Sequence, residues 1–186
     1  MGMPAQLREW TAEEAIALPD DGTRYEVLDG ELVVMPSPSW RHQTVIELLH
    51  PLLHTYAREH RLGWAKHSPA DIVFSPKRLL QPDLFVVPWR EGGTPTSWKE
   101  VTSLLLAVEA LSPSSARTDR HRKRIIYQSE RVPEYWIVDS AERLVERWRP
   151  DDQRPEILND ELVWRPKEGI PPFVLPLQAF FDEVYA

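Results

Sequence analysis

From Trp40 to about His60, Val45, Leu48, Leu49, Leu52, Leu53 and Tyr56 recur at intervals of three and four. That period predicts an amphipathic helix, kinked at Pro51. Elsewhere the apolar positions follow a shorter rhythm. Residues 24–28 and 31–35 flank Asp29 and Gly30, a pair suited to the positive φ of a two-residue type I′ turn, so a hairpin is expected there. Residues 71–74, 83–87, 104–111 and 134–139 read as further strands, and the alternation in residues 143–148 pairs that segment with the last of them. Thr11 and Glu14 form a capping box opening a short helix, and residues 35–39 break the chain before the long one. Residues 112–115, three serines around Pro113, stop a strand and cap a helix expected from about Ala116 to Arg131. Beyond Pro150 the chain is proline-rich with short β-like pieces such as residues 161–164, which points to an edge ribbon and a docked tail. Together these elements describe an α/β (α+β) fold in one domain, residues 1–186, with a mixed β-sheet flanked by helices, an N-terminal β-hairpin and a C-terminal β-ribbon or tail.

Two of the strands carry a carboxylate that their own pattern buries. Glu109 interrupts the apolar run 104–111, and Asp83 opens the aliphatic run 84–87. A buried charge without a partner costs several kcal/mol, so each acid calls for a cation, a hydrogen-bond network or a metal. If the two strands are neighbours, the carboxylates converge. With the backbone carbonyl of Ala110 they would offer the oxygen ligands that Mg²⁺ takes, in a site directed at phosphate. Held further apart, the same pair would suit acid–base hydrolysis of a glycoside.

The following helix adds cations. Asp119, Lys123 and Tyr127 are spaced by four and share about one face of a regular α-helix, where an ammonium could orient water or offset phosphate charge. The same spacing also describes a surface Asp119–Lys123 pair. Arg117, Arg120 and Arg124 lie about a quarter-turn away, placed to track a nucleic-acid backbone. From Arg117 to Arg131 there are six Lys or Arg against two acids, and a solvated helix face explains that excess as well. His42, in the first turn of the long helix, could contact a phosphate or move a proton. Asp71 is a lesser acid candidate. His50 and His54 have zinc-pair spacing, but Pro51 lies between them and the glutamate of the zincin motif is missing.

Composition narrows the partners. With no cysteine, disulfide frameworks, thiol nucleophiles and cysteine zinc sites are excluded. The formal net charge of -7 opposes nucleic-acid binding through overall charge and leaves that task to the local basic segment. No apolar run approaches the ~18 residues of a membrane span. Residues 1–6 lack the regions of a signal peptide and carry Gln6 where a myristoylation signal has Ser or Thr. A cytoplasmic location, away from membranes, is expected.

Taken in order, Pro82-Asp83, residues 108–113, Asp119 with Lys123 and Tyr127, and residues 132–139 resemble the Uma-two family of restriction-endonuclease-like proteins, in the PD-(D/E)XK nuclease superfamily. The resemblance extends upstream through residues 25–32, 35–38 and His42, covering roughly residues 10–150. It implies a restriction-endonuclease-like core with a mixed sheet of four or five strands. It also implies Asp83 and Glu109 as ligands of Mg²⁺, for which Mn²⁺ could substitute, with Glu26 as a third acid near the metal. Taken alone, Glu26 reads equally as an exposed hairpin charge. Leu111 stands where the strict motif has its lysine, two residues after the acid, and the family resembled places that lysine on the next helix, where Lys123 stands. Tyr127 or His42 would touch the phosphate. The activity implied is Mg²⁺-dependent endonucleolytic hydrolysis of DNA, compatible with a homodimer. The alternative is a non-catalytic nucleic-acid-binding or assembly module on the same fold.

Overall fold

The computed structural model describes residues 8–35 and 37–186. The reading of residues 1–6, and Pro36 in the break after the hairpin, lie outside them. Thr11 caps α1 (Ala12–Ile16) in the expected box: its hydroxyl accepts from the Glu14 amide at 3.2 Å, and the Glu14 carboxylate accepts from the Thr11 amide at 2.9 Å. β1 (Arg24–Leu28) and β2 (Glu31–Met35) form the hairpin, with Asp29 and Gly30 at φ 51° and 84°. After Ser39, whose side chain accepts from the His42 amide, α2 (Trp40–Glu59) runs as one helix through Pro51.

Five strands follow: β3 (Gly63–His67), β4 (Ile72–Ser75), β5 (Arg78–Leu80), β6 (Leu84–Pro88) and β7 (Leu106–Ala110). After a helical crossover come β8 (Glu134–Asp139), β9 (Leu144–Trp148) and β10 (Glu156–Leu158). The main sheet has the order β10-β9-β8-β7-β6-β3 and is mixed, with β7 and β8 parallel and the other pairs antiparallel. It therefore holds six strands where four or five were implied; the edge strands β3 and β10 are part-exposed, so their apolar signal is weak. A smaller antiparallel sheet has the order β2-β1-β5-β4.

Parallel neighbours need a crossover, and here it is helical. Where residue spacing predicts one uniform α-helix from Ala116 to Arg131, a π-helical turn over Thr118–Lys123 runs into α3 (Arg124–Ser129). The Arg124 amide reaches back five residues to the Asp119 carbonyl, which widens the turn and changes which side chains share a face.

One face of the main sheet, with Val86, Val108, Trp136 and Val138, packs on Val45, Leu49 and Leu53 of α2. The chain's end covers the same face as a ribbon, β11 (Glu161–Trp164) with β12 (Phe173–Pro176), and a closing helix α4 (Leu177–Val184). That helix is an addition to the expected ribbon and tail. On the opposite face, Phe85, Ala107, Tyr135 and Ile137 meet Ile126 and Tyr127 of α3 and Leu28, Ile72 and Leu80 of the smaller sheet. Strand alternation assigns Asp83 and Glu109 to this second face. No helix among the described residues is long and apolar enough to cross a membrane.

Gly63 admits β3 to the sheet. Its φ is 152°, and a Cβ built there would lie 1.8 Å from the Val87 carbonyl oxygen. Gly63→Ala is expected to destabilise the fold by about 2–4 kcal/mol through backbone strain and displacement of β3. Urea unfolding checks this, and an unchanged midpoint would refute it.

Candidate active site

β6 and β7 are antiparallel with Leu84 opposite Val108. One step outward, Asp83 comes opposite Glu109, and the pleat turns both side chains toward the crossover helix. β1 brings Glu26 to the same place, and the π-turn brings Asp119 and Lys123. The Lys123 Nζ lies 3.1 Å from Glu26 Oε1, 3.1 Å from Glu109 Oε1 and 3.6 Å from Asp119 Oδ1. Lys123 and Glu26 are wholly buried, and Glu109 and Asp119 nearly so. Tyr127 donates its hydroxyl to Glu109 Oε1 at 3.1 Å, and the Gln81 amide donates to Glu26 Oε1 at 2.7 Å. Asp83 Oδ2 accepts from the Ala110 amide at 3.0 Å and lies 2.8 Å from His42 Nε2, while Arg24 Nη1 stands 3.7 Å from Asp83 Oδ1.

Burial and mutual repulsion set the charges. For Lys123, burial favours the neutral amine, but Glu109, Glu26, Asp119 and Asp83 outweigh it and hold the group protonated, well above the usual lysine range. Burial is also the largest influence on Glu109; reinforced by Asp83, Asp119 and Glu26 it overcomes Lys123 and pushes the carboxyl well above the ordinary value. Glu26 and Asp119 are raised as well, chiefly by burial. Asp83 behaves differently. Burial pushes it up, but the His42 hydrogen bond and charge, with Lys123 and Arg24, outweigh that and lower it. Burial beside Glu109 raises Tyr127 well above the phenol range, so it stays a donor.

Four carboxylates thus share a buried region with two permanent cations, Lys123 and Arg24. Glu26 Oε2 and Asp119 Oδ1 are buried without a hydrogen-bond partner. A divalent cation fits that excess of negative charge. Among the described residues, no group of three or more His, Asp or Glu side chains is placed to hold a metal ion. An ion held by only one or two of these carboxylates would have to keep most of its waters.

A cavity of about 540 Å³ opens beside this region, lined by Arg24, His42, His67, Gln81, Asp83 and Trp98 among others. Of the four clustered carboxylates, Asp83 alone is in its wall. Asp71 also lines it and accepts from Gln81 Nε2 at 2.8 Å. His42 reaches Asp83 from α2, and its Nδ1 is buried without a partner.

Other candidates lie apart. Arg120 binds Glu146 at 2.6 Å and Asp139 at 2.9 Å, and Arg124 bonds to the Arg120 carbonyl and Gln128 and lies over the Trp148 ring. Neither faces the acids, a departure from the quarter-turn placement that follows from the π-turn. Arg117 is exposed and walls a separate surface cavity with Thr118, His121 and Arg122. Tyr127 is fully buried, bonds Glu109 and is not part of the cavity wall, so it is not placed where a phosphate in that cavity would lie. His50 has Nε2 3.3 Å from the Ala65 carbonyl, with the His54 and His67 rings nearby. Sequence reasoning missed Arg24 and Gln81. The signal was there for Arg24, since residues 24 and 26 share one face of β1.

A family model described as Uma2, putative restriction endonuclease, matches residues 12–178. The chain belongs to the Uma2 family. The match continues past the expected limit near residue 150 and takes in the C-terminal ribbon. Among solved structures, this Uma2 chain is similar to a putative nuclease of the DUF820 group from Anabaena variabilis. The two superpose with a TM-score of 0.72 at 20% identity, covering 94% of this chain and 98% of the other. That likeness shows a shared nuclease-like fold. No curated protein matches the chain.

Proposed function

We propose that this Uma2 protein is a Mg²⁺-dependent endonuclease that hydrolyses phosphodiester bonds in DNA. The observation that carries this reading is the juxtaposition of Asp83 and Glu109 with Lys123, which arrives from the crossover helix while Leu111, in the expected lysine position, is partly buried against the core. Asp83, Glu109 and the Ala110 carbonyl would hold the ion. The Ala110 amide already points at Asp83, and in a strand a residue's N–H and C=O leave by the same edge. When bound, the ion would polarise a phosphoryl oxygen and lower the pKa of a bound water. Lys123 and Tyr127 keep Glu109 in place, and Lys123 also steadies Glu26, the third acid. His42 orients Asp83 through Nε2, and its buried Nδ1 is the ring nitrogen left to exchange a proton. Arg24, at the cavity wall, adds positive charge where a substrate anion enters. The family description supports DNA as the substrate, and Arg117, His121 and Arg122 offer a basic surface to its backbone.

The test is incubation of the purified protein with supercoiled and linear DNA and Mg²⁺ or Mn²⁺, beside the Asp83→Asn and Lys123→Met variants. Cleavage by the wild type alone is the expected result. Equal cleavage by all three would identify a contaminant, and none under any condition would replace this reading with the binding module.

A further inference from the structure

A second cavity, of about 430 Å³, adjoins the one that contains Asp83. Its walls include Trp64, Lys66, Val87, Thr94, Ser97 and Trp98, and Trp98 also lines the first cavity, so one indole joins the two spaces. The sheet explains the alignment. Trp64 pairs with Val87 and Lys66 with Phe85 across β3 and β6, so Trp64, Lys66, Phe85 and Val87 share the sheet face that Asp83 occupies. Val87 lies four residue steps on from Asp83, about 13 Å along the strand.

The walls suit a flat, partly polar ring. Trp64 is already stacked on Trp89, with ring centroids 5.1 Å apart and planes inclined by 10°, and Trp98 is braced edge-on by Phe85 at 5.8 Å. Indoles held in this way offer rigid stacking surfaces, and every nucleobase has a π-face to lay on them. Thr94 and Ser97 supply hydroxyls for base edges, and the exposed Lys66 supplies a cation for the adjoining phosphate.

We propose that this cavity is a subsite for an unpaired base of the nucleic-acid substrate, a few nucleotides from the phosphate that faces Asp83. The proposal rests on the nuclease reading and sharpens its substrate class. A base in the cavity has left its stack, which costs an intact duplex its pairing and stacking and a single strand far less. The enzyme is therefore directed toward single-stranded, frayed or flapped DNA in preference to intact duplex.

The experiment uses a fluorescently labelled short oligodeoxythymidylate, alone and annealed to its complement, with full-length protein in EDTA so that binding is read without cleavage. Fluorescence anisotropy is measured for wild type, Trp98→Ala, Trp98→Phe and Lys66→Ala, each first checked for an unchanged unfolding midpoint. Trp98→Ala should weaken single-strand binding about ten-fold or more, Trp98→Phe should retain most of it, and Lys66→Ala should lower the salt dependence. Duplex binding should be weaker than single-strand binding and change less in Trp98→Ala. Single-strand binding equal in wild type and Trp98→Ala would overturn the subsite while leaving the nuclease reading intact. An equal loss on both DNA forms would also overturn it, by making Trp98 a general cleft contact. Failure of the wild type to bind either form, both in EDTA and with Ca²⁺ in its place, would overturn the subsite, while the nuclease reading stands or falls on the cleavage assay.

Discussion

Lys123→Met should abolish cleavage and lower stability by about 3–5 kcal/mol, the loss typical when one partner is removed from a buried ion cluster. Methionine fills similar space and brings no charge, so the effect isolates the ammonium. Without it, Glu26, Glu109 and Asp119 keep their burial and their mutual repulsion but lose the cation 3.1–3.6 Å from their oxygens. Part of the loss will be relieved by protonation of Glu109, which already sits well above the usual carboxylate range because of burial and its acidic neighbours. A second substitution separates structure from chemistry. Lys123→Met combined with Glu109→Gln should regain much of the stability, because fewer buried charges remain uncompensated, and should stay inactive. Urea midpoints and DNA cleavage, measured in parallel, check both statements. A single variant as stable as wild type would show that the ammonium is not what holds these carboxylates together.

Asp83→Asn should lose Mg²⁺-dependent cleavage by about a thousand-fold or more while lowering stability less than Lys123→Met does. The activity loss follows from removing the acid that both lines the cavity and is held ionised by His42, Lys123 and Arg24, since a neutral amide is a poor ligand for a hard cation. His42, Lys123 and Arg24 hold the Asp83 carboxyl below its ordinary value, so its charge stabilises the fold at neutral pH and asparagine gives that up. Relief of Glu109, which Asp83 pushes up, offsets part of the loss, and asparagine keeps the shape and an oxygen for the Ala110 amide. The difference from wild type should shrink as the pH falls through the carboxylate range. A variant that melts as far below wild type as Lys123→Met would make Asp83 a structural residue.

Much of the site was legible along the chain because its acids stand out against their surroundings. Glu109 interrupts an apolar run and Asp83 opens another, and both strands are central ones, where the hydrophobic signal is strongest. Lys123 was legible through its spacing from Asp119 and Tyr127, which the wide turn still gathers near the sheet. Arg120 and Arg124 were misplaced by the same arithmetic. A regular α-helix puts them near Lys123, but the bond from the Arg124 amide to the Asp119 carbonyl opens the turn, and Glu146 and Asp139 capture Arg120. Trp98 gave no warning, because one aromatic residue in a polar loop has no periodic context. Its position between two cavities depends on how that loop folds back over β3 and β6.

By itself the sequence determined the central strands, the hairpin turn, the capping box and the candidate acids. Each of these depends on short-range rules, namely a period, a dihedral preference or a side chain reaching a nearby amide. Only the tertiary structure decided that Asp83 and Glu109 are neighbours, that Glu26 is buried on Lys123 and not exposed on a hairpin, and that Arg24 joins Asp83. It also decided that Leu111 can belong to the core, because Lys123 crosses from the next helix to the same carboxylate. The physical reason is that charges and ligands act through distances of a few ångströms in space, and residues 26, 83, 109 and 123 come that close only when two sheets and a π-turn close around them.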